Sequence, residues 1–94
     1  MKLAQVVGKV VLSKCIPAFA GRPLHLIVDL DEGLNPVGEI EVSATWQAMA
    51  EGDRVVVEVA RESCNAFDPP LPIDSVILGK VEEVYIAPEQ RRNL

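Results

Sequence analysis

Aromatic residues are scarce in this 94-residue chain: one Trp, one Tyr and two Phe, or 4% of the total. Surfaces that hold single-stranded nucleic acid stack bases on several rings, and four rings spread along the chain do not make such a platform. Basic charge is also in short supply. Nine Lys and Arg stand against 14 Asp and Glu, a formal net charge of -5, and Arg91-Arg92 is the one adjacent pair of cations. The clustered basic face that neutralises phosphates is missing, and nucleic acid is not expected as a partner. Histidine occurs once, at His25, and cysteine twice, at Cys15 and Cys64. None of them falls in a Cys-x-x-Cys or His-x-x-x-His spacing, so no metal site and no cofactor is expected. No apolar run approaches the roughly 20 residues of a membrane span, and no membrane partner is expected. Met1-Lys2-Leu3, followed by Gln5 and Lys9, lacks the apolar core and cleavage site of a signal peptide. The expectation is a cytoplasmic protein with reduced cysteines.

What the chain has in plenty is aliphatic residues. Hydrophobic residues make up 49% of it, mostly Val, Leu, Ile and Ala, and the β-branched ones favour sheet. Its length allows one domain. Leu3 to Leu12 is organised as a strand: Ala4, Val6, Gly8, Val10 and Leu12 are apolar or small, while Gln5 and Lys9 interrupt the alternate positions. Gly8 at its centre marks a bend or a close approach of another backbone. Leu78-Gly79-Lys80-Val81 repeats the Val7-Gly8-Lys9-Val10 pattern, which predicts that the first and last strands pair.

Between them, Ser13 to Arg22 reads as a surface loop with Pro17 and Gly21, whose Ile16 and Phe19 either fold back or meet a neighbouring chain. Pro23 to Asp31 predicts a strand with Leu24, Leu26, Val28 and Leu30 inward and His25, Ile27, Asp29 and Asp31 outward. A turn over Asp31 to Pro36 joins it in a hairpin to Val37–Ser43, where Ile40 and Val42 oppose Glu39 and Glu41. Ala44 to Glu51 consists mainly of helix formers behind Thr45 as N-cap, predicting a helical turn or two. Arg54 to Ala60 is a strand with Val55, Val57 and Val59 on one side and Val56 among charges on the other. A further helical turn is expected around Ser63 to Phe67, then a proline-stiffened connector from Asp68 to Pro72 and a last strand from Ile73 to Ile86. Residues 1–87 form the domain and 88–94 a polar tail.

Five strands, each with an apolar face, make an all-β fold with one or two short helical turns: a small OB-like β-barrel, whose closure removes the sheet edges that invite aggregation. Val7, Val11, Ile27 and Val56 are large aliphatics assigned to outer faces, and with Ile16 and Phe19 they are the candidate protomer-interface residues. Catalysis is not expected. Cys64 beside Asn65, with His25 as base, supplies parts of a thiol nucleophile, but no glycine-rich loop provides oxyanion donors. Asp29, Asp31 and Glu32 lack the regular ligand positions of a calcium loop and read as a solvated turn. Trp46 reads as a packing anchor.

Four stretches carry a likeness to a known family: Met1-Lys2-Leu3-Ala4-Gln5-Val6-Val7-Gly8-Lys9-Val10-Val11; the Leu- and Ile-rich run from Gly21 to Val28; Gly52-Asp53-Arg54-Val55-Val56-Val57; and Pro72-Ile73-Asp74 followed by Ile77-Leu78-Gly79-Lys80-Val81. In order and spacing they resemble the pentameric vertex proteins of bacterial microcompartment shells, of carboxysome and ethanolamine-utilisation type. The resemblance implies a barrel that assembles head to tail as a cyclic homo-pentamer, with hexameric shell proteins as neighbours. It assigns structural roles in the shared motifs to Gly8, Gly21, Gly52, Asp53, Pro72, Asp74 and Gly79. The implied activity is geometric: a sheet of six-fold tiles closes only when five-fold units occupy its corners. Ala48-Met49-Ala50 replaces the family's Gly-Ala-Gly, which implies a reshaped loop before Gly52. The alternative reading, from fold alone, is an OB-type ligand or nucleic-acid binding module.

Overall fold

In the computed structural model, which describes residues 1–60, 66–67 and 71–90, the aliphatic segments form five strands. These are β1 (Lys2–Val10), β2 (Leu24–Leu30), β3 (Pro36–Ala44), β4 (Arg54–Val59) and β5 (Ser75–Lys80). They close into a barrel in the order β1-β2-β3-β5-β4, with β4 returning to β1. All neighbours are antiparallel except β3 and β5. The all-β, OB-like architecture is as expected. The short helical pieces are 3₁₀ turns at Pro17–Phe19 and Pro88–Gln90. The expected turn from Ser63, the connector at Asp68 to Pro70 and the end of the tail lie outside the described residues.

The barrel interior is filled by Ala4, Val6, Ile27, Val55, Val57 and Ile77, with Met49 and Val59 packed against them. A second cluster joins Leu24, Ala44, Phe67, Leu71 and Val76. Val76 and Ile77 are consecutive in β5 and so point to opposite faces. The second cluster therefore lies on the outer wall of the barrel, under Phe67 and Leu71.

This two-sided burial reverses the reading of β2. Ile27, assigned outward, is 0% exposed inside the barrel, and His25 is buried on the same face, whereas Leu24 serves the outer cluster. A strand covered on both faces loses the polar contrast from which alternation tells inside from outside. Ile27 is thereby removed from the candidate contact residues.

In β1 the register runs Val6↔Ile27 and then Gly8↔Leu26, so Val7 is an extra residue in a β-bulge. The apolar face switches there: Ala4 and Val6 point inward, while Val10 packs on the outer cluster. The bulge puts a bend beside Gly8, and the atom a Cβ there would meet, at 3.2 Å, is the side-chain Cδ1 of Leu26 and not another backbone.

Three further expectations are corrected. β1 does not pair with the Gly79 strand; it pairs with β4, and β5 lies between β4 and β3. The shared Gly-Lys-Val string says nothing about neighbours, because pairing is set by how the barrel closes. The last strand is shorter than read, ending at Lys80, where the Val81 N–H donates to the Arg54 carbonyl at 2.8 Å. Ala44 to Glu51 holds no helix. Its donors go to acceptors outside the segment: Thr45 N–H to the Pro23 carbonyl (3.2 Å), Met49 N–H to His25 Nε2 (3.0 Å) and, locally, Ala50 N–H to Asp53 Oδ2 (2.9 Å). Thr45 is buried instead of capping a helix, and helix propensity yields to these contacts.

Candidate protomer interface

Beyond Val10 the chain leaves the sheet, and residues 11–18 are exposed throughout. Pro17 opens the 3₁₀ turn, closed by Ala20 N–H donating to the Pro17 carbonyl. The turn brings Phe19 back onto the outer cluster, half-buried, and Gly21, at φ +71°, lets the chain enter β2. The result is an arm anchored at both ends. Val11 on it is 81% exposed and Ile16 53%, with Leu12 between them also exposed. Of the sequence-assigned contact residues, Val11 and Ile16 thus stand on the arm and Val7 is exposed at the bulge. Val56 is half-buried beside Leu3 and Gly79, and Phe19 is largely spent on its own chain.

Sequence reasoning missed Leu12, Ile40, Val42, Leu78 and Tyr85, all exposed apolar side chains. For Ile40 and Val42 the alternation is legible, but it does not say which face is inside. They alternate with Glu39 and Glu41, yet register pairs Glu41 with interior Ile27 and Val42 with Leu26. The glutamate side of β3 faces the barrel axis near its open end, and the apolar side faces out.

That open end is held by charge. Lys2 Nζ donates to Glu41 Oε1 at 2.7 Å and lies 2.9 Å from Asp29 Oδ1. Burial draws the ammonium pKa down, but the hydrogen bonds and charges of Glu41 and Asp29 outweigh it and hold the pKa above its ordinary value. The Gly52-Asp53 motif locks the loop to β1. Gly52, at φ +90°, donates its N–H to the Val6 carbonyl (2.8 Å), and Val6 N–H donates to the Asp53 carbonyl (2.9 Å). Asp53 also pairs with Lys80 at 3.7 Å. In the other shared motif, Ala60 N–H donates to the Asp74 carbonyl at 2.7 Å, while Pro72 is exposed.

Of the residues weighed for chemistry, His25, Asp31 and Trp46 have packing or turn roles. His25 and the exposed Cys15 border one cleft of about 360 Å³. His25 Nε2 is already occupied by Met49 N–H, and Cys64 lies outside the described residues. Asp31 Oδ1 accepts from Gly33 and Asn35 N–H at 2.9 Å each, so the acidic stretch is a turn that Asp31 itself caps. Trp46 packs on Phe67 at a 4.7 Å centroid distance, and Arg22 sits 4.4 Å over the same ring. Among the described residues no three His, Cys, Asp or Glu side chains group as metal ligands.

The chain matches the family model described as ethanolamine utilisation protein EutN/carboxysome over residues 1–82, which takes in all five strands. Among solved structures it is similar to the GrpN pentameric microcompartment shell protein from Rhodospirillum rubrum. The identity is 25% and the TM-score 0.82, with 93% of this chain and 100% of that chain covered. It is also similar to the ethanolamine utilisation protein EutN from Escherichia coli: 27% identity, TM-score 0.84, coverage 96% and 93%. CcmL from Gloeobacter violaceus, at 24% identity, TM-score 0.82 and coverage 92% and 90%, shares the fold. Comparison with curated proteins gives no significant match.

Proposed function

Since the chain belongs to the ethanolamine utilisation EutN/carboxysome family, we infer that it is a structural shell protein, a pentamer that caps the five-fold vertices of a bacterial microcompartment. The observation that carries this is the family match through the whole barrel, joined to likeness in fold and sequence to a pentameric shell protein. Its work is geometric and not catalytic. Five copies around an axis supply the curvature that a flat sheet of six-fold tiles lacks, and hexameric shell proteins are the neighbours such a corner requires. The place of the protein is the shell of that compartment, in the cytoplasm.

Physical features of the monomer support a surface made to be covered. Val7, Val11 and Ile16 expose aliphatic area that a barrel of this size does not need for its own fold, and Val56 borders the same outer wall. Ring contacts at these residues fit their placement on the arm and the outer faces of β1 and β4. Native mass spectrometry tests the reading. A species of five times the 10.2 kDa chain mass is expected at micromolar concentration, and a persistent monomer there rejects it.

A further inference from the structure

A ring closed by one repeated contact needs two different patches on each protomer, placed so that one meets the other around the axis. Two such patches stand at opposite ends of β1. At one end the arm presents Val11, Leu12 and Ile16, with Lys14 among them and Lys9 just before. At the other, Leu3, Leu30, Leu34, Val84 and Ile86 line an open groove of about 530 Å³ whose rim carries Asp31 and Glu32. At about 3.3 Å per residue the strand from Leu3 to Val10 separates the ends by about 23 Å. The arm is pinned again at Phe19 on the outer cluster, and none of its residues lines the groove of its own chain.

The patches match in kind and oppose in sign. Both are aliphatic, so joining them removes apolar surface from water on each side. The arm carries lysine, and neither Lys9 nor Lys14 has an ion-pair partner among the described residues. The groove carries carboxylates. Resting on the pentamer reading, we propose that the arm from Val11 to Ile16 seats in the groove of the neighbouring protomer, with Lys14 against the Asp31 and Glu32 rim. The occupant is a second copy of this chain, and opposite charge fixes the head-to-tail direction of the ring.

Charge reversal in the full-length chain tests this. Asp31 caps its own turn, and Glu32 also has an interaction within its chain, so Glu32 is varied and recovery in the double variant, not the single loss, carries the result. Lys14→Glu and Glu32→Lys are each expected to raise the concentration for half-assembly roughly tenfold or more, and the double variant to recover most of that loss. Single variants that assemble like wild type, or a double variant no better than the worse single, overturn the contact. A second readout uses Cys15, within the arm, in a Cys64→Ser background. Its labelling by a maleimide is expected to slow in the assembled ring. Labelling as fast in the ring as in unassembled Lys14→Glu assigns the arm to another partner and overturns the proposal. Failure of the pentamer reading itself shows earlier and separately, as a wild-type chain that forms no ring.

Discussion

Gly52 and Gly79 both belong to the shared motifs, yet only Gly52 is required by the backbone of the single chain. Gly52 takes φ +90° where it donates to Val6, a conformation that costs a residue with a Cβ about 1 to 2 kcal/mol. Gly79 lies in β5 with ordinary φ, and a Cβ there would meet nothing within 4 Å. Gly52→Ala is therefore expected to lower the urea midpoint at fixed protein concentration, while Gly79→Ala leaves it unchanged or raises it by a gain of about 0.5 kcal/mol. Equal losses at both positions would show that local backbone strain is not the distinction. Lys2 gives a prediction in pH. Its pKa is raised in the folded chain, so the stabilisation it lends is complete below the ordinary value of 10.5 and is lost as pH rises through the higher folded value. Lys2→Met should show a constant deficit of less than about 1 kcal/mol, small because the pair is partly solvated. That deficit should narrow in alkaline solution above the ordinary lysine value. A deficit that persists unchanged there would mean that packing, and not charge, is the role of Lys2.

At the scale of elements, β1 and β2 divide their residues between two cores and an outer surface. Ile27 is sealed inside the barrel and Ile16 stands on the arm, although sequence alone makes both contact candidates. Ile27→Ala is expected to cost about 2 to 5 kcal/mol of fold stability. Ile16→Ala should leave the barrel intact and act on assembly alone. The bulge residue Val7 and the arm residue Val11 make the companion case: replacing both with Lys should weaken the ring while the circular dichroism spectrum stays that of a β-barrel. Loss of the spectrum would place that face in the core instead.

For the whole molecule, fold and assembly state are linked. A barrel whose outer wall is aliphatic at the arm, at β3 and at Leu78 gains from covering that wall, so ring formation and stability should rise together with concentration. Thermal unfolding followed over a hundredfold range of concentration should show a rising midpoint for wild type. Variants that do not assemble should show no such rise. A midpoint independent of concentration in a chain that forms pentamers would mean that the ring adds nothing to the barrel.

The sequence by itself determined that this is a small β-barrel of five strands, and its ordered motifs pointed to the shell-vertex family. Period-two alternation and turn residues are local signals, and they act within each segment whatever its neighbours. The bend at Gly8 and the turn after Asp31 were legible for the same reason. Only the tertiary structure decided which face of β2 lies inside, since Leu24 and Ile27 are both buried, by different partners. It also decided that β1 pairs with β4, and that Ala44 to Glu51 spends N–H donors on His25 and Pro23 instead of on a helix. These outcomes depend on residues distant in the chain, where the free energy of closing the barrel outweighs local preference. The exposure of Ile40 and Val42 follows from that closure as well. A strand pattern states that two faces differ, and only the closed barrel states which of them meets water.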